Sequence, residues 1–181
     1  MMELYQNKNE RNRFTRMCIG DAMIALMKQK DFKKITVSDI SKKAGLSRVT
    51  YYNYYVKKED VINDYLGELV AEYIKEVNQH PEIGSMMSYR HILFSLKFFD
   101  RYADFFKTVE ASGLHSLIIN AMNTFMEEKI FTTYEGSIYE LYCYGGALLN
   151  MFIKWEMNEK NISAEKLAQI IEDFVTKQAD G

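Results

Sequence analysis

Proline is almost absent from this chain: Pro81 is the only one in 181 residues, and glycine occurs nine times. A sheet protein of this length needs many more turn residues of these types, so the scarcity argues for helices. Long apolar runs are missing too. No stretch approaches the run of about 18 uncharged apolar residues that a membrane-spanning helix requires. The N-terminus carries Glu3, Lys8, Glu10, Arg11 and Arg13 where a secretory signal would be apolar. Cysteine is limited to Cys18 and Cys143, far apart and each among apolar residues at helical spacing. They are read as two buried thiols of a cytoplasmic protein rather than a disulfide framework. His80, His91 and His115 are scattered, with no cysteine or carboxylate at metal-ligand spacing, so neither a metal nor a cofactor is expected. Catalytic constellations are equally lacking. There is no glycine-rich phosphate loop and no legible Ser-His-Asp set, while Glu127-Glu128 and Asp100-Arg101 read as solvated faces.

What is present is apolar bulk and a lopsided charge. Hydrophobic residues make up 48% of the chain, enough for a substantial core. The net charge of −2 hides an asymmetry. Residues 1–58 hold 13 Lys and Arg against 5 Asp and Glu, a balance of +8; residues 59–181 hold 10 against 20, a balance of −10. A basic end on an acidic body suggests that only the N-terminal part meets a polyanion. The chain is accordingly divided into 1–58 and 59–181.

Apolar spacing predicts about nine helices. The first runs from about Asn12 to Gln29 and is broken at Asp31-Phe32. Thr36 can cap a second, short helix that ends at Gly45, with Asp39 at its positive end. Ser47 caps a third, from Arg48 to about Tyr55. A fourth opens at Lys57-Lys58-Glu59-Asp60 and continues to about Val77. After the punctuation of Pro81-Glu-Ile-Gly84, helices are expected near Ser88–Tyr102, Asp104–Val109, Leu114–Phe131, Ser137–Met157 and Ala164–Lys177, the last capped by Ser163.

The sharpest pattern lies between Thr36 and Tyr55. Two short helices joined by a tight turn must cross steeply. Ile40 faces the core, Ala44 is small where the helices approach, Gly45 permits a left-handed turn residue, and Leu46 plugs the corner. Tyr51, Tyr54 and Tyr55 pack back or border the core. The face left over presents Arg48, Val49, Thr50, Tyr52 and Asn53. Arg48 can pair with guanine or phosphate and Asn53 with adenine. Thr50 and Tyr52 offer hydroxyls to phosphates, with Lys57 and Lys58 following at the next helix start.

From about Arg13 to Leu66 the chain resembles the DNA-binding domain of the TetR family of regulators. The residues that carry the resemblance are Thr36-Val37, Ile40, Ala44-Gly45-Leu46-Ser47, Thr50-Tyr51-Tyr52, Tyr55 and Lys58-Glu59. The resemblance implies an all-α homodimer with three N-terminal DNA-binding helices and a C-terminal body for ligand sensing and dimerisation. It implies that Thr36, Ser47, Thr50, Tyr52 and Lys58 hold phosphates of double-stranded operator DNA, and that Arg48, Val49, Asn53 and Tyr54 meet base edges. Three departures stand out. Asp31 occupies a position where glycine is common, Ser41 replaces a common alanine, and Tyr55 a common phenylalanine. The first is expected to tolerate a left-handed backbone; the other two are conservative.

In the body, Ile138–Trp155 is very apolar, and Gly145-Gly146-Ala147 inside a helix costs roughly 1 kcal/mol per glycine unless another helix approaches closely. With the stripe of Leu167, Ile170, Ile171, Phe174 and Val175, this predicts a homodimer through the last two helices. Its expected interface residues are Tyr142, Gly145, Gly146, Leu149, Leu167, Ile170, Ile171 and Phe174. Phe98, Phe99, Tyr102, Phe105, Met122, Met126, Tyr142 and Trp155 are candidate pocket residues for an apolar or aromatic effector, although such residues also serve as ordinary core.

The expected function is a sequence-specific DNA-binding regulator, a repressor released from a palindromic operator by a small-molecule effector. The alternative is a regulator or co-activator of the same shape controlled by a protein partner. In either case the fourth helix is the natural lever between body and DNA end.

Overall fold

The computed structural model describes residues 2–176, with side chains from Arg11 onward. Among these residues the chain forms nine α-helices. They are α1 (Met2–Met27), α2 (Val37–Lys43), α3 (Arg48–Tyr52), α4 (Lys58–Gln79), α5 (Tyr89–Asp100), α6 (Ala103–Ala111), α7 (His115–Phe125), α8 (Ile138–Met157) and α9 (Ala164–Thr176). Short 3-10 turns at Phe32–Lys34 and Pro81–Ile83 precede α2 and α5. Among the described residues no helix is long and apolar enough to cross a membrane.

Helix positions follow the apolar spacing; the caps expected at Thr36, Ser47 and Ser163 form, and Ser88 and Ser137 cap two further helices. Thr36, Ser47, Ser88, Ser137 and Ser163 each accept a backbone N–H from the first turn of the helix that follows. Three boundaries differ clearly from expectation. Helix α1 begins at Met2 rather than Asn12, because no glycine or proline interrupts the segment between them. Regular α3 stops at Tyr52 rather than Tyr55. The Tyr54 and Tyr55 amides both close on the Tyr51 carbonyl, at 3.0 and 3.1 Å, as a final turn. The segment expected to run unbroken to Phe131 instead widens after Phe125 into a π-turn over Met126–Ile130, closed by Phe131 N–H to Met126 O at 2.8 Å. The expected end of the last helix, Lys177, lies outside the described residues.

The helices divide into two compact units. The first takes in the residues up to Leu69 together with Thr108–Leu117, so it extends beyond residue 58 into α4. Its core includes Ile19 and Met23 of α1, Ile40 of α2, Tyr51 of α3, and Val61, Ile62, Leu66 and Leu69 of α4, all buried. Burying each of these aliphatic side chains stabilises the unit by about 1.5–3 kcal/mol before entropy is counted. Helix α2 packs on both α1 and α3. Gly20 makes room for α4: a Cβ there would lie 2.4 Å from Cδ2 of Tyr65.

The second unit comprises Val70–Lys107 and the residues from Ile118 on. Helix α5 packs on α9, and α8 packs on α9 and on the π-turn. The carboxylate of Glu172 on α9 accepts the Tyr89 N–H at the start of α5, at 2.8 Å. Along α8 the buried line runs through Leu141, Tyr144, Gly145, Leu148, Leu149, Phe152, Ile153, Trp155 and Glu156. Cys143 falls off that line and is exposed, while Cys18 is half-buried. The expectation of two buried thiols is thus corrected. An apolar neighbourhood in sequence does not place a residue on the buried side of a helix with one covered face.

Candidate nucleic-acid interface

The turn between α2 and α3 is built from backbone hydrogen bonds. Ala44 N–H reaches Ile40 O at 2.8 Å, Gly45 N–H reaches Lys42 O at 3.3 Å, and Leu46 N–H reaches Ser41 O at 2.9 Å. These satisfy the last carbonyls of α2, and they require a left-handed residue at Gly45, whose φ is 69°. A reciprocal cap holds the other end of α2. Thr36 Oγ1 accepts Asp39 N–H at 3.2 Å, and Asp39 Oδ2 accepts Thr36 N–H at 2.8 Å. Lys30 at 2.7 Å and the Thr36 hydroxyl hold the Asp39 carboxyl well below the usual carboxylate range. Tyr51 anchors α3 in the core. Burial pushes its hydroxyl up to about 12, and it donates to Lys57 O at 3.5 Å.

The residues proposed to read bases fall into two groups. Arg48, Val49, Tyr52 and Asn53 stand exposed on α3 and its cap, with Val49 72% and Tyr52 52% accessible. Val49 has little contact with the core, whereas the Tyr52 ring still meets buried Tyr51 edge-on at 5.6 Å and leaves its outer half to solvent. Tyr54 is drawn the other way. Its hydroxyl donates to Asn12 Oδ1 on α1 at 3.1 Å, so it braces the unit rather than reaching outward.

The phosphate-holding set also divides. Ser47 is exposed, Thr50 half-buried, and their hydroxyl oxygens lie 2.9 Å apart. Ser47 Oγ accepts Thr50 N–H at 3.0 Å. Two hydroxyl protons serve one mutual bond, which leaves one to donate outward. Thr36 donates its hydroxyl proton to Asp39 Oδ2 at 2.7 Å, so no proton remains for a phosphate oxygen. Lys58 is committed most completely: its ammonium donates to Phe32 O at 2.6 Å, Lys33 O at 3.2 Å and Ile35 O at 3.3 Å. In the unbound chain Thr36 and Lys58 are thus engaged within the unit, and a phosphate contact from either would replace one of these bonds. Sequence spacing cannot reveal that a 3-10 turn's carbonyls lie within reach of Lys58. Lys33, Lys34, Lys42, Lys43 and Lys57 are exposed in the same unit. The cluster of basic residues was the sequence signal for them, without saying which ammonium groups stay outside.

Two departures from the family pattern also read differently. Asp31 has φ of −49° and caps the 3-10 turn, its carboxylate accepting Lys33 N–H at 2.8 Å; no left-handed residue is needed there. Tyr55 is more than a larger phenylalanine, because its hydroxyl donates to Asp64 Oδ2 of α4 at 2.5 Å.

In the second unit most of the candidate pocket residues border one aromatic cluster, with Tyr102 against Phe98 at 5.6 Å and Trp155 against Phe152 at 6.5 Å. Phe98, Phe99 and Phe105 share an aromatic cluster with Tyr73, Phe106 and Phe152, with ring centroids 5.1–5.6 Å apart along Phe98–Phe99–Phe106. Tyr102 donates to Glu72 at 2.8 Å. Met122 and Met126 pack on α8 beneath Gly145, where a Cβ would come within 3.1 Å of each. Tyr142 instead turns to Glu127 Oε1 at 2.5 Å on the surface. Trp155 closes the turn to α9, donating to Ile162 O at 2.8 Å.

The expected dimer residues split by face. Gly145, Leu149, Leu167 and Ile171 are buried within the chain, whereas Tyr142 and Gly146 are half-buried and Ile170 and Phe174 exposed. Nothing lies within 4 Å of a Cβ built on Gly146.

A short helix, a left-handed glycine turn and a second short helix with an exposed polar and aromatic face define a helix-turn-helix DNA-binding unit. Residues 19–65 match the family model for bacterial regulatory proteins of the tetR family. Along 177 residues the chain is 24% identical to an uncharacterized HTH-type transcriptional regulator of Bacillus subtilis, YxbF; the match covers 88% of this chain and 44% of that protein, so the chain spans less than half its length. Among solved structures, a TetR-family transcriptional regulator from Syntrophomonas wolfei shares the fold with a TM-score of 0.70 at 16% identity, covering 94% of this chain and 97% of that one. The transcriptional regulator FadR of Bacillus subtilis, solved in complex with stearoyl-CoA, has a TM-score of 0.59 at 16% identity, covering 88% and 96%. Residues 19–65 thus match the tetR-family DNA-binding region, and the helical fold of the chain is one that TetR-family regulators share.

Proposed function

We propose that this chain works as a homodimeric repressor that binds a palindromic operator and is released from it by an apolar effector. The observation that carries the DNA reading is the exposed face of Arg48, Val49, Tyr52 and Asn53 on a helix whose other side is sealed by Tyr51. In a dimer the two copies of α3 would enter successive major grooves about 34 Å apart. Val49 would meet thymine methyl groups, Arg48 guanine, and Asn53 adenine. Ser47, Thr50, Tyr52 and Lys57 would grip phosphates.

The outward residues Tyr142, Gly146, Ile170 and Phe174 support pairing through α8 and α9. The aromatic cluster around Phe98 and Phe99 supports an apolar effector, and an effector that binds one form of the dimer better shifts the population toward it. Fatty acyl thioesters are the first class to assay, since FadR holds one in the same fold.

The test is selection of bound duplexes from a random pool, followed by anisotropy titration of the enriched sequence and light scattering of the free protein. Enrichment of a palindrome and a dimeric mass are expected. A pool that never enriches defeats the DNA reading, and a monomeric mass at micromolar concentration defeats the dimer.

A further inference from the structure

We infer that Asp64 is a positioning residue for operator recognition, fixing the end of the recognition helix to α4 through the hydroxyl of Tyr55. The inference rests on the reading above that α3 enters a DNA groove.

The Asp64 carboxylate is shared between two donors from different parts of the first unit. Its Oδ2 accepts the Tyr55 hydroxyl at 2.5 Å, and its Oδ1 accepts Nη1 of Arg16. The other arm of Arg16 reaches Glu68 Oε1 at 2.5 Å, and Arg13 Nε reaches Glu68 Oε2 at 2.6 Å. A continuous line of charge-assisted bonds thus runs from the end of the α3 segment, across α4, to α1. Asp64 and Glu68 are one turn apart on α4, and Arg13 and Arg16 nearly one turn apart on α1, so the two helices present matched pairs.

Packing alone does not require this carboxylate. Tyr55 is 5% exposed, with its ring tilted against Tyr51 at 5.7 Å and Tyr54 at 6.2 Å. A phenylalanine would fill nearly the same space. What the hydroxyl adds is direction. An apolar contact tolerates sliding, whereas a short bond to a charged group, itself held by an arginine, does not. The neighbouring tyrosine is hooked elsewhere, Tyr54 to Asn12 on α1. Two consecutive residues after α3 are therefore anchored to two different helices, which leaves α3 little freedom to roll about its axis.

Roll matters for one class of contact only. Phosphate contacts supply most of the affinity for arbitrary duplex and adapt to small displacements. Base-edge bonds from Arg48 and Asn53 need their tips placed within a fraction of an ångström. Loss of the Asp64 bond should then cost discrimination, not general affinity.

The test compares Tyr55→Phe, Asp64→Asn and the double variant on the selected operator and on random-sequence duplex of equal length, at fixed salt. Each single variant is expected to lose operator affinity on the order of tenfold. Affinity for random duplex and its salt slope should stay unchanged, and the double variant should bind no worse than the weaker single. If Asp64→Asn melts early, Tyr55→Phe decides alone, because it removes one hydroxyl and leaves every ion pair in place. Unchanged operator affinity in Tyr55→Phe, or equal losses on both duplexes, overturns the proposal while leaving the DNA reading standing. A pool without enrichment fails at the earlier step and removes both.

Discussion

The ammonium of Lys58 lies 2.6 Å from the carbonyl oxygen of Phe32 and 4.4 Å from the centre of the same residue's ring. One side chain thus caps the 3-10 turn ahead of α2 and packs over its buried aromatic. Lys58→Met, which keeps the stem and deletes the donors, should destabilise the protein by about 1–2 kcal/mol, read by chemical denaturation. The salt slope of DNA binding should barely change. Lys57→Ala should do the reverse, leaving stability intact and flattening the slope by about one unit. A flattened slope in Lys58→Met with unchanged stability would assign a phosphate role to Lys58.

Ser41 carries a buried hydroxyl that finds no hydrogen-bond partner. Removing an unsatisfied buried group without changing the backbone is expected to help. Ser41→Ala should raise the stability of the first unit by about 1 kcal/mol, seen as a higher denaturant midpoint with an unchanged slope. A loss of stability would mean that the hydroxyl is bonded in solution.

Gly45 and Gly20 offer a matched contrast. A methyl group at Gly45 meets nothing within 4 Å, so Gly45→Ala should cost only the left-handed backbone penalty, about 1–2 kcal/mol. At Gly20 the backbone is ordinary but the methyl would stand 2.4 Å from the Tyr65 ring, and Gly20→Ala should cost about 1–3 kcal/mol by overpacking. Replacing Tyr65 by leucine in the same chain should relieve the second penalty and not the first, as double-variant denaturation would reveal.

His91 is buried, with Nε2 2.8 Å from the Tyr73 hydroxyl and Nδ1 3.2 Å from Gly84 O. Burial lowers its pKa from the ordinary 6.5, although the Gly84 carbonyl opposes the shift. The unfolded chain therefore binds a proton at a higher pH than the folded one. Stability is complete above 6.5 and falls as the pH drops from there toward the lowered folded value. Thermal melts should show that decline in the wild type and a flatter profile in His91→Gln. An identical decline in the variant would assign the titration to another group.

Gly146 faces open space, while Gly145 sits 3.1 Å, in Cβ terms, from Met122 and Met126. Gly146→Arg should leave the fold of the chain intact, by circular dichroism, yet shift light scattering to the monomer. If the dimer survives with normal affinity, α8 does not pair through this face.

Much of the DNA-binding unit was readable from residue order. The caps at Thr36 and Ser47, the glycine turn and the inward Ile40 and Tyr51 depend on neighbours within one helical turn, and local pattern captures such neighbours. The exposed set of Arg48, Val49, Tyr52 and Asn53 followed by subtraction. The Tyr54 partner was not legible, because a tyrosine just past a short helix can point either way, and Asn12, which takes its hydroxyl, is remote in sequence. Cys143 misled for a related reason: apolar neighbours indicate a helix that is buried somewhere, not the side on which it is buried.

Residue order alone thus determined the helices, their caps and the turn at Gly45, since backbone hydrogen bonding and 3.6-residue periodicity are properties of adjacent residues. Tertiary structure decided how the polar groups are spent. It gave the ammonium of Lys58 to three carbonyls, the hydroxyl of Tyr55 to Asp64, and one face of α8 to the core while the Gly146 face stayed open. Hydroxyls, ammonium groups and small residues take any partner that packing brings within reach, and packing joins residues far apart in the chain.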